Sequence, residues 1–92
     1  MPNTNKPDYE TILDRIKALI AKRKRMPVDK VKSTDSLKDD LKFKNNGLAS
    51  LVENIKSSFS EEFGVTVNLE PEDCYSLPKV RDLARKVEAS IV

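Results

Sequence analysis

The chain has no histidine, no tryptophan, one cysteine and only two glycines among its 92 residues. Without histidine it lacks the commonest metal ligand, proton shuttle and triad base, and the single cysteine cannot form an intramolecular disulfide. Hydrolase, metalloenzyme and deaminase functions are therefore disfavoured, and the sequence predicts no catalytic residue and no metal site. The sequence has few of the glycines and Val/Thr pairs that hairpins and sheets need, and this indicates an all-α fold.

Long apolar runs are also missing. A membrane span needs about 20 consecutive apolar residues, and residues 1–8 are polar and rich in proline and asparagine, unlike a signal peptide. We therefore expect a cytoplasmic protein without a membrane partner and with a disordered start at residues 1–7. Because a chain of 92 residues can build one apolar core but not two, residues 1–92 are predicted to form a single domain.

Basic residues are concentrated in one part of the chain. Nine Lys and Arg stand against four Asp between residues 22 and 44, and residues 22–25 are all basic. Four cations at a predicted helix end, with no aromatic residue beside them, are typical of a solvated helix C-terminus rather than of a nucleic-acid or membrane site. We therefore expect no nucleic-acid partner.

Apolar residues recur at intervals of three and four in three segments, and this spacing predicts three amphipathic helices. The first occupies residues 8–24, with Asp8 as its N-cap. The second begins at residue 48 or 49 and ends before Gly64, its expected C-cap. The third follows Ser76, another candidate cap, and runs to the C-terminus.

The connections between these helices differ in length. Residues 26–46 hold at least five apolar side chains at uneven spacing, so we expect a long packed loop with about one helical turn. Residues 65–69 alternate apolar with polar side chains, but a lone strand has no partner, so an extended loop is predicted. Pro71 can open a short helix through Tyr75, with Cys74 buried or half-buried in it. The prediction is three long helices, one short helix and a long loop between helices 1 and 2.

One segment resembles the central part of acyl and peptidyl carrier proteins. Residues 46–51 read Asn-Gly-Leu-Ala-Ser-Leu, similar to the Gly-Leu-Asp-Ser-Leu type motif that opens the second helix in that family. The helix after the motif ends in Glu-Glu-Phe-Gly-Val at residues 61–65. Residues 39–41, Asp-Asp-Leu, resemble the acidic segment upstream of the motif, and residues 75–83 resemble the junction between the short and last helices. The resemblance covers residues 9–87.

The resemblance implies a four-helix bundle of acyl-carrier type, without catalysis of its own, in which Ser50 carries a 4′-phosphopantetheine arm derived from coenzyme A. It implies as partners a phosphopantetheinyl transferase and the synthase or ligase enzymes of fatty-acid, polyketide or nonribosomal peptide synthesis, which load acyl, polyketide or aminoacyl groups. A phosphodiester at Ser50 would lie near a helix N-terminus, which stabilises anions. The implied protein is a monomer whose second helix docks partners through Leu48, Ala49, Leu51 and Glu53.

Three features depart from the family pattern. Ala49 stands where acyl carriers usually have aspartate, the interval from Ser50 to Phe63 is one residue shorter, and the connection from Leu41 to Ser50 is longer. An alternative alignment places residues 46–48 on the motif, leaves no serine at the attachment point and describes a degenerate, unmodified carrier-like interaction module. The matching leucines on both sides of Ser50 favour a carrier.

Overall fold

The computed structural model describes residues 7–92. In chain order their regular elements are α1 Tyr9–Lys24, a 3-10 helix Val28–Lys30, α2 Asn45–Phe63, a second 3-10 helix Pro71–Cys74 and α3 Val80–Ser90. These residues contain no strand, only two isolated bridges that pair Ser36 with Lys79 and Val67 with Ile91. The predicted all-α class is confirmed, with three α-helices, and the predicted short helix is a 3-10 turn.

The N-terminal segment predicted to be disordered, residues 1–7, falls mostly outside this description. Residues 1–6 are not among the described residues, whereas Pro7 is described and is buried. From residue 7 onward, no helix combines the length and the apolar character that crossing a membrane requires.

Helix α1 begins and ends where its sequence predicts. Asp8 Oδ1 accepts a hydrogen bond from the Thr11 N–H at 2.9 Å, which confirms Asp8 as the N-cap. This bond holds the pKa of the exposed Asp8 carboxyl below its ordinary value. The helix ends at Lys24, and its C-cap Arg25 has a left-handed φ of 56° and an N–H that donates to the Ala21 carbonyl. Left-handed C-caps of this kind satisfy the last carbonyl groups of a helix.

Helix α2 begins earlier than predicted. It starts at Asn45, three or four residues before the predicted start, and its N-cap Lys44 makes no side-chain cap hydrogen bond. Phe43 and Leu48 are 3% and 0% exposed, and they occupy the N′ and N4 positions that pack together in a hydrophobic staple. Burying two such side chains contributes about 3–6 kcal/mol, which exceeds the roughly 2 kcal/mol of unfavourable helix propensity of Asn-Asn-Gly. At the other end Gly64, with φ 65°, confirms the predicted C-cap.

Helix α3 begins at Val80, so the prediction that Ser76 caps it is wrong. The N-cap is Lys79, whose N–H donates to Asp82 Oδ2 at 3.2 Å. Pro78 lies two residues after Ser76, and Leu77, the residue immediately before the proline, is disfavoured in the helical region. The helix therefore starts only after the proline.

The loop between α1 and α2 supplies hydrogen-bond acceptors to the N-terminal end of α3. The carbonyl oxygens of Asp35 and Ser33 accept from the N–H groups of Val80 and Arg81 at 3.0 and 2.9 Å. The first N–H groups of a helix have no acceptor within that helix. The loop therefore takes the place of a side-chain cap and helps to fix the start of α3.

The apolar side chains of all three helices and of the loop form one core. Of the five loop residues predicted to pack, Val31, Leu37, Leu41 and Phe43 are at most 6% exposed. Val28 is 50% exposed and does not join them, because it opens the first 3-10 turn on the surface.

Candidate functional site

Ser50 is exposed and lies in the second turn of α2. It is the sixth residue of the helix counted from Asn45, whereas the sequence predicts it to be the second or third. The unpaired N–H groups of a helix belong to its first residues, and the Leu48 N–H already donates to the Lys44 carbonyl at 2.9 Å. A phosphate on Ser50 would therefore lie about one turn beyond the free N–H groups, further from the helix end than the sequence predicts.

Ser50 belongs to a polar face of α2. Asn46, Asn54 and Ser57 lie four residues before, four after and seven after it, positions that share one face of a helix. All four side chains are exposed. The face carries hydroxyl and amide groups and is bordered by the carboxylate of Glu53.

Two cavities, each of about 580 Å³, open along this face. The cavity between α1 and α2 is lined by Arg15, Ala18, Leu19, Lys22, Arg23, Asn54, Ser57, Ser58 and Glu61. The cavity at the start of α2 is lined by Lys22, Arg23, Lys24, Arg25, Lys42, Phe43, Lys44, Asn46 and Gly47.

Lys22 and Arg23 line both cavities. Along α2, Ser50 lies between Gly47, which lines one cavity, and Asn54, which lines the other. Because helical side chains lean toward the N-terminus of their helix, the Ser50 hydroxyl leans toward the turn of Asn46 and Gly47. Ser50 itself lines neither cavity, and it offers an exposed hydroxyl on the stretch of α2 between them.

Two of the four predicted docking residues are not on the surface. Leu48 and Leu51 are both 0% exposed, because they lie on the apolar stripe of α2 that faces the core. Ala49 is half-buried and Glu53 is exposed. The prediction that Leu48 and Leu51 contact a partner is therefore wrong, while Ala49 and Glu53 remain predictions.

The acidic segment at residues 39–41 has a local structural role. Asp40 Oδ2 accepts from the Ser36 N–H at 2.8 Å, and Ser36 Oγ accepts from the Asp39 N–H at 3.0 Å. Leu41 is 6% exposed and belongs to the core. These bonds close the turn that leads the chain back toward the start of α2.

Cys74 is fully buried, as predicted. Burial raises the pKa of its thiol to about 11, and the neighbouring Asp73 carboxylate acts in the same direction. Since the thiolate is the reactive form of cysteine, Cys74 is unsuited to nucleophilic chemistry in the folded protein.

The convergence of Lys42 and Lys44 with residues 22–25 was not predicted from the sequence. The Lys24 ammonium donates to the Lys42 carbonyl at 3.5 Å and lies 4.3 Å from the centre of the Phe43 ring. The excess of basic residues between 22 and 44 was a signal of this cluster, but only the folded loop brings the two groups together. Residues 7–92 contain no group of three His, Cys, Asp or Glu side chains placed to hold a metal ion.

Comparison of the chain with protein-family models, with curated proteins and with solved structures finds no match. The resemblance to carrier proteins therefore depends on the motif residues and on their placement in the fold.

Proposed function

We propose that the protein is a carrier that holds acyl, polyketide or aminoacyl groups as thioesters on a 4′-phosphopantetheine arm attached to Ser50. The observation that carries this proposal is the position of Ser50, exposed on α2 between two cavities that share Lys22 and Arg23. The proposed architecture is a carrier-type four-helix bundle in which the 3-10 helix Pro71–Cys74 is the short fourth helix.

The modification needs little chemistry from this chain. The Ser50 oxygen attacks the β-phosphorus of the coenzyme A pyrophosphate, the P–O bond to adenosine 3′,5′-bisphosphate breaks, and the hydroxyl proton passes to a base of the transferase. The chain supplies an accessible hydroxyl on a rigid helix. Lys22 and Arg23 line both neighbouring cavities and would attract the single negative charge of the phosphodiester, an interaction worth at most roughly 1 kcal/mol between exposed charges. The bound arm supplies the thiol that forms the thioester.

The partners in this proposal are a phosphopantetheinyl transferase and the synthase or ligase enzymes that load and use the arm. The polar face around Ser50, with Ala49 and Glu53 beside it, is the surface these enzymes would contact. The carrier would act as a monomer in the cytoplasm, without nucleic acid or membrane.

The test is intact mass after incubation with coenzyme A, Mg²⁺ and a broad-specificity phosphopantetheinyl transferase. We expect a gain of roughly 340 Da, the mass added by phosphoryl transfer of the group. Ser50→Ala should abolish the gain. Ser57→Ala is the matched control, because Ser57 is exposed on the same face two turns further along α2, and this variant should gain the full mass. A gain that persists in Ser50→Ala contradicts the assignment.

A second candidate is an unmodified carrier-like interaction module. It is favoured by the start of α2 at Asn45, because in the resembling family the attachment serine opens the second helix, and asparagine has no hydroxyl to modify. In this case several transferases would leave the mass unchanged, and Ser50→Ala would have no consequence. The polar face would then serve as a contact surface for a protein partner.

A further inference from the structure

Six basic side chains from two parts of the chain line the cavity at the start of α2. They are Lys22, Arg23, Lys24, Arg25, Lys42 and Lys44, and the other lining residues, Phe43, Asn46 and Gly47, carry no charge. No carboxylate lines this cavity, which we name the cationic cavity. Its cations come from the C-terminal end of α1 and from the segment just before α2.

These cations are not neutralised by the protein itself. The only ion pair among residues 7–92 joins Arg15 to Glu62 at 3.0 Å, so none of the six has a carboxylate within 4.0 Å. Of the six side chains, only that of Lys24 is engaged by a group within residues 7–92, namely the Lys42 carbonyl and the Phe43 ring. Concentrating charge of one sign opposes folding and creates a positive potential that attracts anions. A bound anion would relieve this repulsion.

The backbone holds two of the cations in unusual conformations. Arg25 and Lys42, with φ of 56° and 60°, are the non-glycine residues of positive φ within residues 7–92, and both line the cationic cavity. Residues other than glycine rarely adopt a positive φ. Both positions would therefore accept glycine with less strain, which allows their charges to be removed without weakening the fold.

The first turn of α2 adds neutral donors to the same cavity. Asn46 and Gly47 lie in that turn, where N–H groups have no acceptor within the helix, and Lys44 provides no side-chain cap. Cations combined with backbone N–H groups are the usual partners of phosphate oxygens. The helix end supplements the six cations, which remain the main attraction for an anion.

We infer that the cationic cavity binds a small ligand carrying two or more phosphate groups, as in inorganic pyrophosphate or the pyrophosphate of a nucleotide. A volume of about 580 Å³ lies in the range of small-molecule sites. A single-stranded nucleic acid is disfavoured because its bases need aromatic side chains for stacking, and Phe43 is only 3% exposed. The inference does not depend on modification of Ser50.

The test is calorimetric titration of the full chain with inorganic pyrophosphate, ADP and adenosine at two salt concentrations. Pyrophosphate and ADP should bind with one-to-one stoichiometry and more weakly at higher salt, while adenosine should not bind. Binding of ADP but not pyrophosphate would assign the site to nucleotides, and equal affinity would assign it to the shared pyrophosphate group.

The deciding variant is Arg25→Gly combined with Lys42→Gly, which removes two cations at the left-handed positions. The matched control is Lys32→Gln combined with Lys86→Gln, which removes two exposed cations that lie outside the cavity. The first variant should bind pyrophosphate at least about tenfold more weakly, equivalent to 1.4 kcal/mol, and should melt no lower than the wild type. The control should change affinity less than about twofold.

Three results would overturn the inference. The first is no binding of either phosphate compound, and the second is equal weakening in both double variants, which would mean unspecific attraction by net charge. The third is tighter binding of an oligonucleotide than of pyrophosphate at equal phosphate concentration, which would assign the cavity to nucleic acid.

Discussion

Replacing Ala49 with proline tests where α2 begins, and therefore how Ser50 is presented. Ala49 is the fifth residue of the helix, so its N–H donates to the carbonyl of Asn45 one turn earlier. Proline removes that bond and places its ring against the same carbonyl, which destabilises a helix interior by about 3 kcal/mol or more. If α2 began at residue 48 or 49, as predicted from the sequence, proline would occupy the first turn and be tolerated.

Asn45→Pro is the matched control because Asn45 is the first residue of α2. Its N-cap Lys44 has φ −102° and ψ 172°, an extended conformation of the kind that residues before proline adopt. We expect this variant to change the free energy of unfolding by less than about 1 kcal/mol.

Urea unfolding followed by circular dichroism measures the difference. With a slope of about 1–3 kcal/mol per molar urea for a small domain, the Ala49→Pro midpoint should fall by roughly 1–3 M while that of Asn45→Pro stays near the wild type. A chain of this size has only about 5–14 kcal/mol of stability, so the loss is a large fraction of it. If both variants unfold at the wild-type urea concentration, α2 begins later and Ser50 lies at a free helix end.

Three further outcomes are expected. Leu51→Ala should lower the free energy of unfolding by about 2–5 kcal/mol because it leaves a cavity in the core. The control Glu53→Ala should change it by less than about 0.5 kcal/mol. Equal effects of the two variants in urea titrations would contradict the burial of Leu51. Because the folded pKa of Asp8 is lowered, its stabilisation should be complete above the unfolded pKa of about 3.9. It should be lost as pH falls through the folded pKa. Urea midpoints of the wild type should therefore fall more in acid than those of Asp8→Asn. Cys74 should react with a thiol reagent only after unfolding, and rapid modification of the native protein at neutral pH would show that its thiol is exposed.

The parts of the fold that were predicted correctly are those with local causes. Asp8 and Gly64 act as caps through contacts within three or four residues, so the sequence alone reveals them. The apolar stripes of the three helices likewise depend only on residue spacing. The all-α class followed from these patterns together with the shortage of glycine.

The parts that were missed depend on contacts between distant residues. The start of α2 follows from the burial of Phe43 and Leu48 in a core built by the whole chain, which overrides the poor helix propensity of Asn-Asn-Gly. Pro78 excludes Ser76 as the cap of α3 through a local cause, whereas the start at Val80 also depends on hydrogen bonds to loop carbonyls more than forty residues earlier in the chain. The cationic cavity could not be predicted because Lys42 reaches Lys24 only through the fold of the intervening loop.

The hydrogen bonds from Val80 and Arg81 to the carbonyls of Asp35 and Ser33 join the loop between α1 and α2 to the start of α3. Detaching the loop would leave the first N–H groups of α3 without acceptors, so the loop and the first turn of α3 should open as one cooperative unit. The hydrogen-bonded amide hydrogens of this loop should then exchange with solvent at the same opening free energy as those in the first turn of α3, although the loop has little regular structure. Proteolytic cleavage in this loop would therefore destabilise the first turn of α3 without cutting α3 itself.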